Sequence, residues 1–317
     1  MRYFLVLMFV TLISACGQTD RNELHSGIDS LEEHRQFWLN EVVQYCQGFP
    51  SKENCDDGDA TIFNGLLCLS GDDRGCDAVK RAQAADGSFW RSPRRVGGGF
   101  ESRNSFSRDQ ATGVIAYLIK TGDREAAQRW VRWIQKNRAC SVEKPFGGGC
   151  LVRAPTYRFC RNEQNQTCTL TPGWWAILGK IYEYLGLEPV SQMKKAGDLD
   201  DKTLVLETKL TETGYPLHLK ASSVLVRQFM GINRNLTRQV AEIIEDKQPD
   251  NPYFQYLHYG ASHELLDYVL ELCPSPGDSL EFRRFQWAWE RDTSSQAWQE
   301  SMGWDCLFLT NLISQEI

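Results

Sequence analysis

The sequence predicts an all-α fold, a disulfide-stapled ring of about five to six helical hairpins, and three observations carry that expectation. The first is the stretch from Phe106 to Asp123. It opens polar, with Ser107 placed to cap and Asp109 in the first turn, where a carboxylate suits the positive end of the helix dipole. It continues almost wholly apolar to Ile119, which predicts a helix buried on most sides, and Gly122 stops it. The second is the segment Arg124 to Lys136, where Ala126, Trp130, Val131 and Ile134 alternate with charged residues and predict an amphipathic partner helix. The third is recurrence of this unit: an apolar helix, a glycine stop, then a more polar helix.

Taken in chain order, the recurrences are plain. Residues 27–46 read as a first helix with apolar Leu31, Phe37, Trp38, Val42 and Val43. Ala60 to Ser70 is apolar, stops at Gly71, and is followed by Cys76 to Gln83. Trp174 to Leu185 stops at Gly186, Ala221 to Met230 at Gly231, and Tyr253 to Tyr259 at Gly260. Asp198 to Leu210 reads equally as helix or loop, and Ser301 to Ile313 as the last inner helix. The intervals between the glycines are too uneven for a solenoid of fixed repeats. They suit a closed ring with buried inner helices, amphipathic outer helices and long loops on one rim. Cys140 to Thr171, with Gly147, Gly148 and Gly149, is such a loop region, and loops of that length are usually functional.

This arrangement resembles the (α/α) toroid of the six-hairpin glycosidases and related polysaccharide lyases, over roughly residues 30–317 and at the level of architecture. The resemblance implies substrate in the ring mouth, at the starts of the inner helices. There the chain offers Asp56, Asp57 and Asp59; Arg108 and Asp109; Trp174 and Trp175; His218 and Lys220; Tyr253; and Trp304 with Asp305. Two loops add Trp90 and Arg91, and Glu290, Arg291 and Asp292. Paired carboxylates with aromatic platforms suit glycoside chemistry: one acid protonates the leaving oxygen while another carboxylate acts as base or nucleophile. Asp59 and Asp109 are the expected catalytic pair, with Arg108, Glu290 and Asp292 in support. The remaining mouth residues are expected to bind a polysaccharide or glycoconjugate. Each also has a plainer reading. A first-turn Asp is commonly a cap, Glu290, Arg291 and Asp292 suit an internal salt-bridge network, and tryptophans fill cores well. A non-catalytic glycan- or envelope-protein-binding role, or a scaffold, would use the same fold.

Residues 1–15 read as a signal peptide: Arg2 supplies charge, Tyr3 to Ile13 the apolar core, Ser14 and Ala15 the small residues. Ile13-Ser14-Ala15-Cys16 resembles a bacterial lipobox, which implies a lipid on Cys16, a tether over 16–26, a single domain over 27–317, and a membrane contact through that lipid. Gly17 in the next position leans towards the outer membrane. The alternative is an ordinary signal peptide with Cys16 a free thiol. Eleven cysteines less Cys16 leave an even number in an exported chain, which predicts disulfides. Local spacing proposes Cys46–Cys55, Cys68–Cys76, Cys140–Cys150, Cys160–Cys168 and Cys273–Cys306, although sequence alone does not fix connectivity.

The net charge of −6 argues against a nucleic-acid partner. No later stretch has the ~18 apolar residues of a transmembrane helix. G-x-S-x-G, a P-loop and H-E-x-x-H are missing from the sequence, and no C-x-x-C pair offers zinc a site. No metal or cofactor is expected, although the Asp56 to Asp59 loop leaves Ca²⁺ open.

Overall fold

The computed structural model describes residues 31–43, 45–51, 55, 57–97, 105–162, 166–277 and 305–317. Over these the protein is mainly helical and carries disulfides. The helices are α1 (Ala60–Leu69), α2 (Asp73–Arg81), α3 (Arg108–Thr121), α4 (Arg124–Lys136), α5 (Pro172–Tyr184), α6 (Ser191–Ala196), α7 (Leu199–Leu210), α8 (Tyr215–Phe229), α9 (Arg234–Lys247), α10 (Pro252–Tyr259), α11 (His263–Leu272) and α12 (Asp305–Ser314).

Each expected glycine stop lies in the left-handed region, from φ +64° at Gly186 to +99° at Gly71. A side chain is rarely accommodated there, so the helix ends where the glycine stands. The next helix begins on a cap: the Asp72 carboxylate accepts from Arg74 N–H, and Asp123 from Ala126 N–H. Every residue of α1 is buried, as are the ten from Gln110 to Ile119 in α3. By contrast, α2 and α4 bury one stripe each.

The helix pair α1 and α3 packs most closely, because each presents a glycine to the other. A Cβ placed on Gly65 would lie 2.1 Å from the Gly113 carbonyl oxygen, and one on Gly113 would lie 2.1 Å from that of Thr61. The two helices start at the same end, since the Gln110 side-chain oxygen accepts from Ile62 N–H at 3.2 Å. Helix α12 lies beside α1 in the same direction, with Gln315 donating to the Ser70 carbonyl at the far end. Helix α3 also packs on α5 and α8, and α8 on α10. Between them the core is aromatic: Tyr253 meets Phe308 edge-on at 5.4 Å, and Trp130 stacks on Phe159 at 5.4 Å.

Three local features depart from expectation, and one open reading is resolved. The first helix ends in a π-turn at Trp38–Val42, and Cys46 sits in a hairpin of β1 (Tyr45–Cys46) and β2 (Phe49–Pro50). Its disulfide to Cys55 and the positive φ of Gly48 turn the chain there. Helix α8 begins at Tyr215, six residues before the apolar run at Ala221, because Pro216 starts a helix without losing a needed N–H. The ambiguous segment before it is the helix α7. Cys140 to Arg153 forms an antiparallel hairpin of β3 (Cys140–Glu143) and β4 (Cys150–Arg153).

All five disulfides join the pairs proposed from spacing: Cys46–Cys55, Cys68–Cys76, Cys140–Cys150, Cys160–Cys168 and Cys273–Cys306. No helix among the described residues is long and apolar enough to cross a membrane.

Candidate functional site

The shared start of α1, α3 and α8 gathers a polar cluster. Asp59 immediately precedes α1 in a left-handed conformation at φ +61°, makes no side-chain cap to that helix and accepts instead from Gln110 of α3. Asp109 occupies the first turn of α3. A single donor joins them: Gln110 Nε2 lies 3.2 Å from Asp59 Oδ1 and 3.4 Å from Asp109 Oδ2. The Gln110 orientation follows from its other end, because Oε1 must be the atom that accepts from Ile62 N–H. The two carboxylate oxygens are therefore no further apart than two hydrogen bonds end to end.

Arg91 enters from the preceding loop and is buried. Its Nη1 donates to Asp59 Oδ1 at 3.3 Å and its Nη2 to Ser107 Oγ at 2.7 Å. Ser107 is thus drawn from its capping role towards the cluster. The Tyr215 hydroxyl donates to Asp109 Oδ2 at 2.8 Å. Burial pushes the Asp109 carboxyl up, but the Ser107 hydrogen bond, the Arg91 charge and the Tyr215 hydroxyl outweigh it and hold the group below the usual carboxylate range. Burial and the Asp109 and Asp59 charges push the Tyr215 hydroxyl well above its ordinary value, so it keeps its proton. Below this layer, Asp57 is buried and takes Arg94 at 3.4 Å and Arg95 at 3.3 Å.

Asp109 also lines a groove of about 360 Å³ between α3, α5, α7 and α8, with Arg108, Trp174, Glu207, Lys220 and Arg227 on its walls. Trp174 is held edge-on by Phe159 at 5.3 Å. Lys220 pairs with Glu207 at 2.8 Å.

Several expected site residues lie elsewhere. Arg108 is exposed and donates to the Thr167 carbonyl at 3.0 Å, so Arg91, not Arg108, is the guanidinium that serves the pair. His218 and Tyr253 are fully buried and belong to the core, not to a substrate surface. His218 stacks under Tyr215 and lies 6.0 Å from Tyr253, and burial lowers its imidazole to about 3. Trp175 is buried against Tyr157, and Trp90 is buried beneath the Arg161 guanidinium. Asp305 starts α12 towards the same end as Asp59 but is fully enclosed. Cys16, Asp56, Glu290, Arg291, Asp292 and Trp304 lie outside the described residues.

Gln110 and Tyr215 were not among the expected site residues. Gln110 was findable as the one amide in an otherwise apolar run, and Tyr215 through the Pro216 that follows it. Among the described residues, no three His, Cys, Asp or Glu side chains converge as metal ligands. No family model, no curated protein and no solved structure matches the chain.

Proposed function

We propose that the chain is an envelope-anchored carbohydrate-active enzyme, a glycoside hydrolase or polysaccharide lyase, with carboxylate chemistry at the shared start of α1, α3 and α8. The observation that carries this reading is the Asp59–Asp109 pair, bridged by Gln110 beside a groove with Trp174 on its wall. A separation within two hydrogen bonds fits the closer of the two carboxylate spacings used in glycoside hydrolysis, about 5–5.5 Å. Asp109, kept anionic, serves as base or nucleophile. Asp59, the other carboxyl of the pair, serves as the acid, while the Tyr215 hydroxyl keeps its proton and holds Asp109 in place by its hydrogen bond.

The neighbour order of α1, α3, α8, α10 and α12 supports closure of these helices into an (α/α) ring, with α5 beside α3. The lipobox-like stretch supports anchoring through Cys16. A second reading, glycan binding without turnover, is favoured by the His218 and Tyr253 rings, which fill the space behind the pair, with the groove to its side.

The deciding experiment is a panel of neutral and uronate-containing polysaccharides. Reducing-end release without unsaturated product would identify a hydrolase, and both together a lyase. Binding with no product across the panel would leave the second reading standing and remove the first.

A further inference from the structure

Among the described residues, the β3–β4 hairpin gathers four exposed apolar side chains, which the carbohydrate reading does not use. Phe146 at its tip is fully exposed, Leu151 61%, Val152 48% and Val142 46%. Val142 and Val152 face each other across the ladder. The hairpin is held in shape without a core: Cys140–Cys150 staples its base, Lys144 N–H donates to the Gly149 carbonyl at 2.7 Å, and Arg153 Nη1 donates to the Arg138 carbonyl at 2.7 Å. Phe146 stands at φ +63°, a conformation costly for a bulky residue, between Pro145 and Gly147. Rigid aromatic and aliphatic surface is therefore displayed to solvent rather than folded away.

Charge names the occupant. Between residues 136 and 153 lie Lys136, Arg138, Lys144 and Arg153 against Glu143 alone, in a chain whose net charge is −6. An apolar tip with Lys144 beside it and further cations at its base is the pattern that enters the headgroup layer of an anionic bilayer. Pairing with another strand is disfavoured, since the ladder is short and shifts register twice. We infer that this hairpin is a membrane-docking element, with Phe146 and Leu151 seated among the lipids and Lys144 and Arg153 on anionic headgroups. Phe106, just before α3, packs on Trp130 of α4. Helix α4 therefore returns towards the start of α3, and the hairpin follows from its far end, so docking would bring that end of α4 to the bilayer. The inference does not rest on the carbohydrate reading.

Peptide-resolved hydrogen exchange on the full chain reads the hairpin directly, whatever else holds the protein to a vesicle. Phosphatidylethanolamine–phosphatidylglycerol vesicles should slow exchange over 140–153, and phosphatidylcholine vesicles should do so much less. Phe146→Ser should cut that protection on the order of tenfold, with exchange of α1 and α3 unchanged as evidence of an intact fold. Lys144→Ser should weaken the dependence on phosphatidylglycerol. Equal protection in Phe146→Ser, or equal protection by both vesicle types, overturns the inference. So does protection without vesicles that grows with protein concentration, which would identify a second copy, or protection by an acidic polysaccharide but not by vesicles.

Discussion

Two clusters in this protein each hold a pair of aspartates, and they are built on opposite electrostatic terms. In one, Asp200 and Asp201 of α7 face two cations: Arg227 of α8 donates to both, and Lys180 of α5 lies 3.2 and 2.8 Å from them. Two cations face these two carboxylates, with the exposed Asp198 3.8 Å from Lys180 at the rim, and the groups are mostly shielded, with 1% of the Arg227 side chain exposed. In the other, Asp59 and Asp109 share the Arg91 charge, and neutral dipoles from Gln110, Tyr215 and Ser107 contribute the rest. A shielded cluster of paired charges locks three helices together. A cluster that leans on dipoles keeps an anion stable without cancelling it. The same residue type thus serves cohesion in one place and, on the proposed reading, chemistry in the other.

The comparison can be broken by experiment. Arg227→Ala leaves Asp200 and Asp201 to Lys180 and should destabilise the fold, by up to about 3–5 kcal/mol in denaturant unfolding; a loss under about 1 kcal/mol would demote the cluster to decoration. Asp109→Asn should lower turnover by a factor on the order of 10², as for loss of general acid–base catalysis. The same variant should change stability by no more than about 1 kcal/mol. Unchanged turnover beside a large stability loss would make the two clusters alike. Gly113→Ala drives a methyl into the Thr61 carbonyl and should cost about 1–3 kcal/mol. It should also reduce activity, because it shifts Asp109 against Asp59.

The gentlest test is pH. The His218 imidazole sits at about 3 in the folded protein, below its ordinary ~6.5. Between those values the unfolded chain binds a proton that the folded chain refuses. Stability should therefore be complete above about pH 6.5 and fall on acidification by up to about 1.4 kcal/mol per pH unit. His218→Phe should flatten that limb. Asp109 acts further down: its folded value lies below the usual carboxylate range, so its contribution is present above that range and disappears only as pH falls through the depressed value. Asp109→Asn should alter that lower limb and leave the upper one in place.

Much of the helical framework is legible in the residues because its signals are local. Apolar runs ending at Gly71, Gly122, Gly186, Gly231 and Gly260 mark helix ends, and each glycine carries the positive φ that the stop requires. Cysteines close in sequence are within reach of each other whatever the fold. The juxtaposition of Asp59 and Asp109 followed from aligning helix starts. The errors arose where geometry is finer than a helical turn. His218 lies one turn inside a helix that begins at Tyr215, so counting from the apolar run put an enclosed ring at the surface and passed over the tyrosine. Arg108 is adjacent to Asp109 in sequence, yet consecutive helical side chains point apart, and the guanidinium that serves the pair arrives from a loop at Arg91. The strands, two and four residues long, are too short for alternation to show.

The disulfide pattern has a consequence for how the chain is made. Each of the five bridges joins a cysteine to the next one along the described chain, so no two bridges interlock or nest. A polypeptide delivered N-terminus first would therefore show an oxidant at most one unpartnered thiol of these ten at any moment. Correct connectivity becomes the outcome of order of arrival rather than of later shuffling, and an isomerase has little left to correct.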